Sequence, residues 1–291
     1  MSRCFMVANL VWALLGLTSA ASSIARTLTV EGVVSPAWVE RAGKREPLTV
    51  GLYLSDNDRI ITGERARVLL RMSEGSAIKL GENATLALSD LTQSTKPDNS
   101  PLVSATLEVL KGAFRFTTGV FGKPRATRDV SVRLGTVTAG VRGTDLWGRS
   151  ITSEDLVCLL EGRISVRHDK QDFEMNEPLQ FFVAPRNDKP KPIGKVPKKQ
   201  IDEWSLETEI TDGQGATRVD GKLRVELLRT ADASAAQALE ARLKEAGYPA
   251  VIDPVPGGQH AVCVLGVATV KDREALRMRL MPLMRNNASR T

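Results

Sequence analysis

The last third of the chain repeats itself at a fixed interval. Val225, Leu227, Leu228, Ala238, Leu239, Arg242 and Leu243 recur as Val262, Val264, Leu265, Ala275, Leu276, Arg279 and Leu280, each pair 37 residues apart. Each copy begins with apolar residues at alternate positions, Val225-Glu226-Leu227 and Val262-Cys263-Val264, which turn one side of a strand inward. In the first copy Ala236, Leu239 and Leu243 follow at three- and four-residue spacing, with Gln237, Glu240, Arg242 and Lys244 opposite. That is the stripe of a helix lying on a sheet. Gly247 ends the helix, Tyr248-Pro249-Ala250-Val251-Ile252 supplies another strand, and Pro254, Pro256, Gly257 and Gly258 turn the chain into the second copy. The predicted order is β-α-β-β-α.

A solenoid of this period needs at least three stacked units to bury its faces. Two units close instead as a ferredoxin-like split βαβ, an α+β domain with both helices on one side of an antiparallel sheet and the other side open to a ligand. Strand alternation then aims Val225, Leu227, Val262 and Val264 at the helices, and Arg224, Glu226, Ala261 and Cys263 outward. Those four are the candidate ligand-binding residues of the open face. The domain is placed at residues 221–291.

Residues 28–184 read differently. Short alternating runs such as Val68-Leu69-Leu70, Ile78-Lys79-Leu80, Val130-Ser131-Val132 and Ile164-Ser165-Val166 recur with almost no helical period between them. They predict an all-β sandwich or roll. Between the two domains, residues 185–220 open with Pro185, Pro190, Pro192 and Pro197 among Lys189, Lys191, Lys195, Lys198 and Lys199, a composition expected to form an extended linker. Within it Ile201, Trp204 and Leu206 fit a short helix packing back on the β domain, and Asp212-Gly213-Gln214-Gly215 reads as a flexible loop.

At the N-terminus, Met1-Ser2-Arg3 precedes an apolar stretch from Cys4 to Leu17 and the small residues Thr18-Ser19-Ala20-Ala21. Residues 1–21 read as a signal peptide, with an uncleaved N-terminal anchor as the alternative, and the apolar run falls short of the roughly 20 residues of a spanning helix. The protein is expected in the periplasm or cell envelope, touching the membrane only if the signal is uncleaved. Its formal net charge of +6 fits solubility or contact with anionic envelope polymers. Cys158 and Cys263 sit in apolar runs of different domains and are expected to be buried free thiols rather than a bridge.

Each of the two domains resembles a known family. The β region resembles the FecR domain family through six motifs in order: Val30-Glu31-Gly32-Val33-Val34, the run Asn57 to Gly63, the run Glu74 to Leu80, Leu110-Lys111-Gly112-Ala113-Phe114, the run Thr138 to Asp145, and the run Leu160 to Val166. The resemblance implies a periplasmic β module, jelly-roll-like, in a binding or scaffolding role. In its Val141-Arg142-Gly143-Thr144 motif, Arg142 either binds an anionic ligand or ties loop carbonyls together, a guanidinium suiting both. The C-terminal repeat resembles the SPOR domain, known for binding peptidoglycan glycan strands stripped of stem peptides, often at division septa. The resemblance rests on Val225-Glu226-Leu227, the run Ala238 to Leu243, the run Gly247 to Val251, Val262-Cys263-Val264 with Gly266, and the run Asp272 to Leu280. Three features depart from it: Glu226 stands where that family has glutamine, Leu228 where it has glycine, and Met281-Pro282-Leu283-Met284-Arg285 forms no clear fourth strand. A carboxylate in place of an amide removes two donors and adds a charge unfavourable beside an acidic wall polymer.

No catalytic constellation stands out. His168 and His260 lie far apart without Cys, Asp or Glu at metal-ligand spacing, and neither a phosphate-cradling glycine loop nor a nucleophile elbow is present. No metal, cofactor or catalytic residue is expected. The open sheet offers no aromatic platform for bases, which sets nucleic acid aside. The expectation is a non-catalytic, exported envelope protein that binds peptidoglycan through its C-terminal domain and a second partner, such as another envelope protein, through its β domain. The alternative is a signalling or assembly protein in which both domains bind proteins and wall binding is lost.

Overall fold

The structure, a computed structural model, describes residues 27–119, 127–141 and 143–285. The signal-peptide reading of residues 1–21 and the side chain of Arg142 lie outside them. The chain first forms β1 (Leu28–Val34), β2 (Ala37–Arg41), β3 (Lys44–Pro47), β4 (Tyr53–Leu54), β5 (Arg59–Thr62), β6 (Arg67–Met72) and β7 (Ala77–Leu80). There follow β8 (Thr85–Thr95), β9 (Pro101–Thr117), β10 (Thr127–Leu134), β11 (Val137–Val141), β12 (Asp145–Ser150), β13 (Glu154–Glu161), β14 (Ile164–His168), β15 (Gln171–Met175) and β16 (Gln180–Pro185). The region is all-β, as alternation predicts, and β8 and β9 meet in a tight turn in which the Lys96 amide donates to the Ser100 carbonyl at 2.8 Å.

Two sheets enclose the core. The front sheet runs β3-β2-β5-β8-β9-β10-β11-β14-β15. In the back sheet β1 pairs with β4 and β6, and the order continues β6-β7-β9-β12-β13-β16. β9 belongs to both, and it changes sheets where Leu110 bulges between the pairs Leu86–Val109 and Thr85–Lys111. Val130, Val132, Val166 and Leu107 from the front meet Val30, Ile78, Phe114 and Leu146 from the back, all buried. Intervening residues such as Asp129, Ser131 and Arg133 face out, the period-two reading realised.

Residues 185–220 are not a free linker. After β16 the chain doubles back through β17 (Gly194–Lys195), which pairs with β16, into α1 (Lys198–Leu206). Val196 and Ile201 bury against Ala113, Trp147, Leu156, Cys158 and Val183 on the outer face of the back sheet. Trp204 stacks on Trp147 with ring centroids 4.8 Å apart and planes at 10°. The segment is a strap across that face. Its prolines set extended turns, while a few apolar side chains at irregular spacing each find a place on the sheet, burial that composition alone does not reveal. The loop read as flexible is also held: the buried Asp272 carboxylate accepts from the amides of Gly213, Gly215 and Ala216 at 2.9–3.1 Å.

The strap ends in β18 (Ala216–Arg218), which pairs with β1 and meets a C-terminal strand at Thr217–Val267. That unit comprises β19 (Leu223–Thr230), α2 (Ala233–Glu245), β20 (Ala250–Val255), β21 (Gln259–Val267) and α3 (Val270–Arg285). Its strands lie in the antiparallel order β20-β21-β19. The Asp232 carboxylate caps α2 by accepting from Ser234 and Ala235. Gly247, at φ +82°, ends α2, with the Gly247 amide on the Lys244 carbonyl and the Tyr248 amide on the Leu243 carbonyl, the paired closure of a Schellman turn. Val225, Leu227, Val262 and Val264 pack with Leu239, Leu243, Leu276 and Leu280, the repeat residues meeting in one core. Met281 to Arg285 continue α3. The unit is fixed to the body by β18 and by three further bonds: the Ala37 amide to the Gly247 carbonyl, Trp38 Nε1 to the Glu245 carbonyl and Arg279 Nη1 to the Ser35 carbonyl, at 2.9–3.2 Å.

Candidate binding faces

Three outer faces carry the residues in question. On the C-terminal sheet, Arg224, Glu226, Ala261 and Cys263 lie on the side away from the helices, with Glu226 directly opposite Cys263. Only two of the four reach solvent. Ala261 and Cys263 are fully buried, because they are short side chains on the central strand and long charged neighbours close over them. Glu226 accepts from Arg229 Nε and Nη2 at 2.8 and 2.7 Å, a bidentate pair. Arg224 stands 3.8 Å from Glu226 and 3.5 Å from Asp253. Burial raises the Cys263 thiol above its ordinary range, with smaller opposing effects from these charges.

Arg229 and Asp253 were not visible as members of this face. Strict alternation from Glu226 sends Leu228 outward and Arg229 inward. The structure does the reverse, since Leu227 bulges between the pairs Glu226–Cys263 and Leu228–Val262. Leu228 then joins the helix-side core and Arg229 crosses to the charged face. The face is neutralised from within, with no row of uncommitted donors.

The Gly143–Thr144 pair of the Val141–Thr144 motif is architectural. Thr144 is buried, and its hydroxyl donates to the Arg163 carbonyl at 2.7 Å, while the Thr118 amide donates to the Thr144 carbonyl at 3.0 Å. Gly162 sits at φ +87°, and a Cβ there would lie 2.1 Å from the Gly143 carbonyl oxygen, so two motifs far apart in sequence meet backbone to backbone. The next residue, Asp145, accepts a bidentate pair from Arg115 at 2.8 and 2.6 Å. Arg115 and Lys79 both reach Glu209 of the strap, and Arg149 reaches Glu207 at 3.3 Å. The hydrogen bond to Asp145 is the largest of the effects that raise the Arg115 pKa.

The third face is the outside of the front sheet. Cross-strand register lines up Thr106, Ser131, Gly140, Ser165 and Glu174 in one row of mostly small residues. Around it lies an open depression of about 1410 Å³ whose charged lining includes Lys96, Arg128, Asp129, Arg163 and Glu174. Among the described residues Asp129, Arg163 and Glu174 form no ion pair, and all three are exposed. His168, at the end of β14, is buried with its ring edge-on to Phe182 at 5.6 Å. Among the described residues no group of His, Cys, Asp and Glu is placed to hold a metal ion, and Cys158 and Cys263 are free and buried.

Residues 58–165 match the FecR protein family. That span contains β5 to β13 and the start of β14, the heart of the two-sheet body. No curated protein matches the chain in sequence. Two crystal structures of proteins assigned as anti-sigma factors from Parabacteroides distasonis are similar to it. One, at 2.50 Å resolution, is 11% identical, covers 62% of this chain and 72% of its own, and has a TM-score of 0.39. The other, at 1.65 Å, is 13% identical, covers 79% and 92%, and has a TM-score of 0.40.

Proposed function

We propose that this protein is a non-catalytic, exported component of the cell envelope that works by binding another protein through its FecR-like body, in a signalling or assembly role. The C-terminal unit, SPOR-like in element order, is on this reading a fixed part of the body that has lost the glycan ligand. The observation that carries the proposal is the state of the two outer faces. The one expected to hold glycan is closed by Arg224, Glu226, Arg229 and Asp253 over a buried Ala261 and Cys263. Among the described residues, the front-sheet depression keeps exposed charges without an ion pair, Asp129, Arg163 and Glu174, over small residues. A polar surface with uncommitted charge suits a protein partner whose own charges complement it.

The test uses the whole exported chain, because β18 joins the C-terminal unit to the body. Co-sedimentation with peptidoglycan sacculi, before and after amidase removes stem peptides, should show no enrichment on the denuded glycan. Crosslinking from position 165 in cells should capture an envelope protein, and Arg163→Glu should abolish that capture. Sedimentation that rises with denudation would restore the wall-binding reading and overturn this one.

A further inference from the structure

One edge of the C-terminal sheet has no partner among the described residues. Among the described residues β19 pairs only with β21, so the eight residues Leu223–Thr230 leave their outer backbone groups unbonded. Such an edge is a template for another strand. β20, on the opposite side of β21, carries Pro254, which removes a donor from that edge. β19 has neither proline nor glycine. The pairing shifts register twice, between Leu223 and Val225, where the extra residue lies on β21, and at Leu227, which bulges on β19 itself, so β19 keeps its side-chain alternation from Leu223 to Glu226.

We infer that this edge pairs with β19 of a second copy of the chain, antiparallel about a two-fold axis at Val225. The segment is complementary to itself in that register. Val225 faces the partner's Val225 and Arg224 faces the partner's Glu226 twice over, with Leu223 and the bulged Leu227 flanking these pairs on the helix side. Every apolar residue falls on the helix side and every charge on the other. Directly opposed side chains in such a ladder have Cβ atoms about 4.5–5.5 Å apart, close enough for both charge pairs to form. Arg224 is available for this role, since its own-chain carboxylates lie at 3.5 and 3.8 Å while Arg229 holds Glu226 at 2.7 Å. The helix packed on β19 is α3, whose Met278 is 67% exposed, the largest fraction among the exposed large apolar side chains. An isologous contact of this kind closes at two copies and joins the two sheets into one.

The test is the mass of the exported chain by sedimentation equilibrium over a concentration series. A dimer is expected. Glu226→Arg sets arginine against arginine at both pairs and should loosen it by roughly 10–100-fold. The exchange Arg224→Glu with Glu226→Arg restores opposite charge and should recover most of that loss, with circular dichroism unchanged throughout. A monomer up to millimolar concentration would overturn the inference. So would a dimer that Glu226→Arg leaves unaffected, or one that the charge exchange fails to rescue.

Discussion

The outer face of the back sheet and the outer face of the C-terminal sheet solve one problem in two ways. Each has a fully buried cysteine, Cys158 and Cys263 respectively, and each has a bidentate arginine–carboxylate pair. The covers differ. Cys158 lies beneath a main-chain strap with the Trp147–Trp204 stack beside it. Cys263 lies beneath side chains of its own sheet. The ion pairs follow suit: Arg115 and Asp145 are 21% and 14% exposed, Arg229 and Glu226 45% and 30%. A cover made of side chains opens by rotamer changes, whereas a strap must undock a helix and uncover apolar surface. The first is a surface that can be re-paired, the second a piece of the core.

Removing the strap's anchor should have the largest effect. Trp147→Ala deletes a fully buried indole and the platform for Trp204, and is expected to lower unfolding stability by about 3–5 kcal/mol in urea. An equal loss from Glu226→Gln would mean that the two covers are energetically alike. Thiol labelling sharpens the contrast at smaller scale. Burial pushes the Cys158 thiol up to about 12, and Cys263 is also raised, so both should resist Ellman's reagent in the folded protein. Arg229→Ala should expose Cys263 to labelling with only a small loss of stability and leave Cys158 protected. Equal acceleration at both thiols would show that they are reached by global unfolding instead.

What was legible in the sequence tracks this same division. The repeat exposed its fold because Val225, Leu227, Leu239 and Leu243, with their counterparts, bury against one another within one local unit, so period and burial coincide. Of the strap only the short helix was legible, Ile201 and Trp204 packing back on the β domain as their spacing suggests. Val196 and the proline-rich stretch before it form no stripe, and the residues Val196 buries against, Trp147 and Cys158 among them, lie roughly forty to fifty residues earlier on strands whose outward positions normally meet water. Alternation put Ala261 and Cys263 on the correct side of their sheet but carried no information about what closes over them. It also misplaced Arg229, because a single bulged residue inverts every side chain after it. The motifs that hold Gly143 and Gly162 were visible in the sequence, but the contact between those two glycines is a property of the fold alone.

The smallest effect separates the two covers by sign. Burial holds the Glu207 carboxyl above the usual carboxylate range, with Arg149 and Arg67 pulling it down and Glu82 pushing it up. The folded chain therefore holds that proton more tightly than the unfolded chain. Glu207 costs stability at neutral pH, and the cost fades as pH falls through its raised pKa toward the ordinary value. Glu226 is the opposite case: the hydrogen bond from Arg229 is the largest influence and holds it below the usual range. Its contribution is present above the ordinary carboxylate pKa and lost as pH falls through its lowered one. Measured as unfolding midpoints against pH, the wild type should gain on Glu207→Gln in the window above the ordinary carboxylate range. It should lose ground to Glu226→Gln in the window below that range. Shifts of one sign would mean that both carboxylates sit in the same kind of environment, and the distinction between strap and side-chain cover would fall with them.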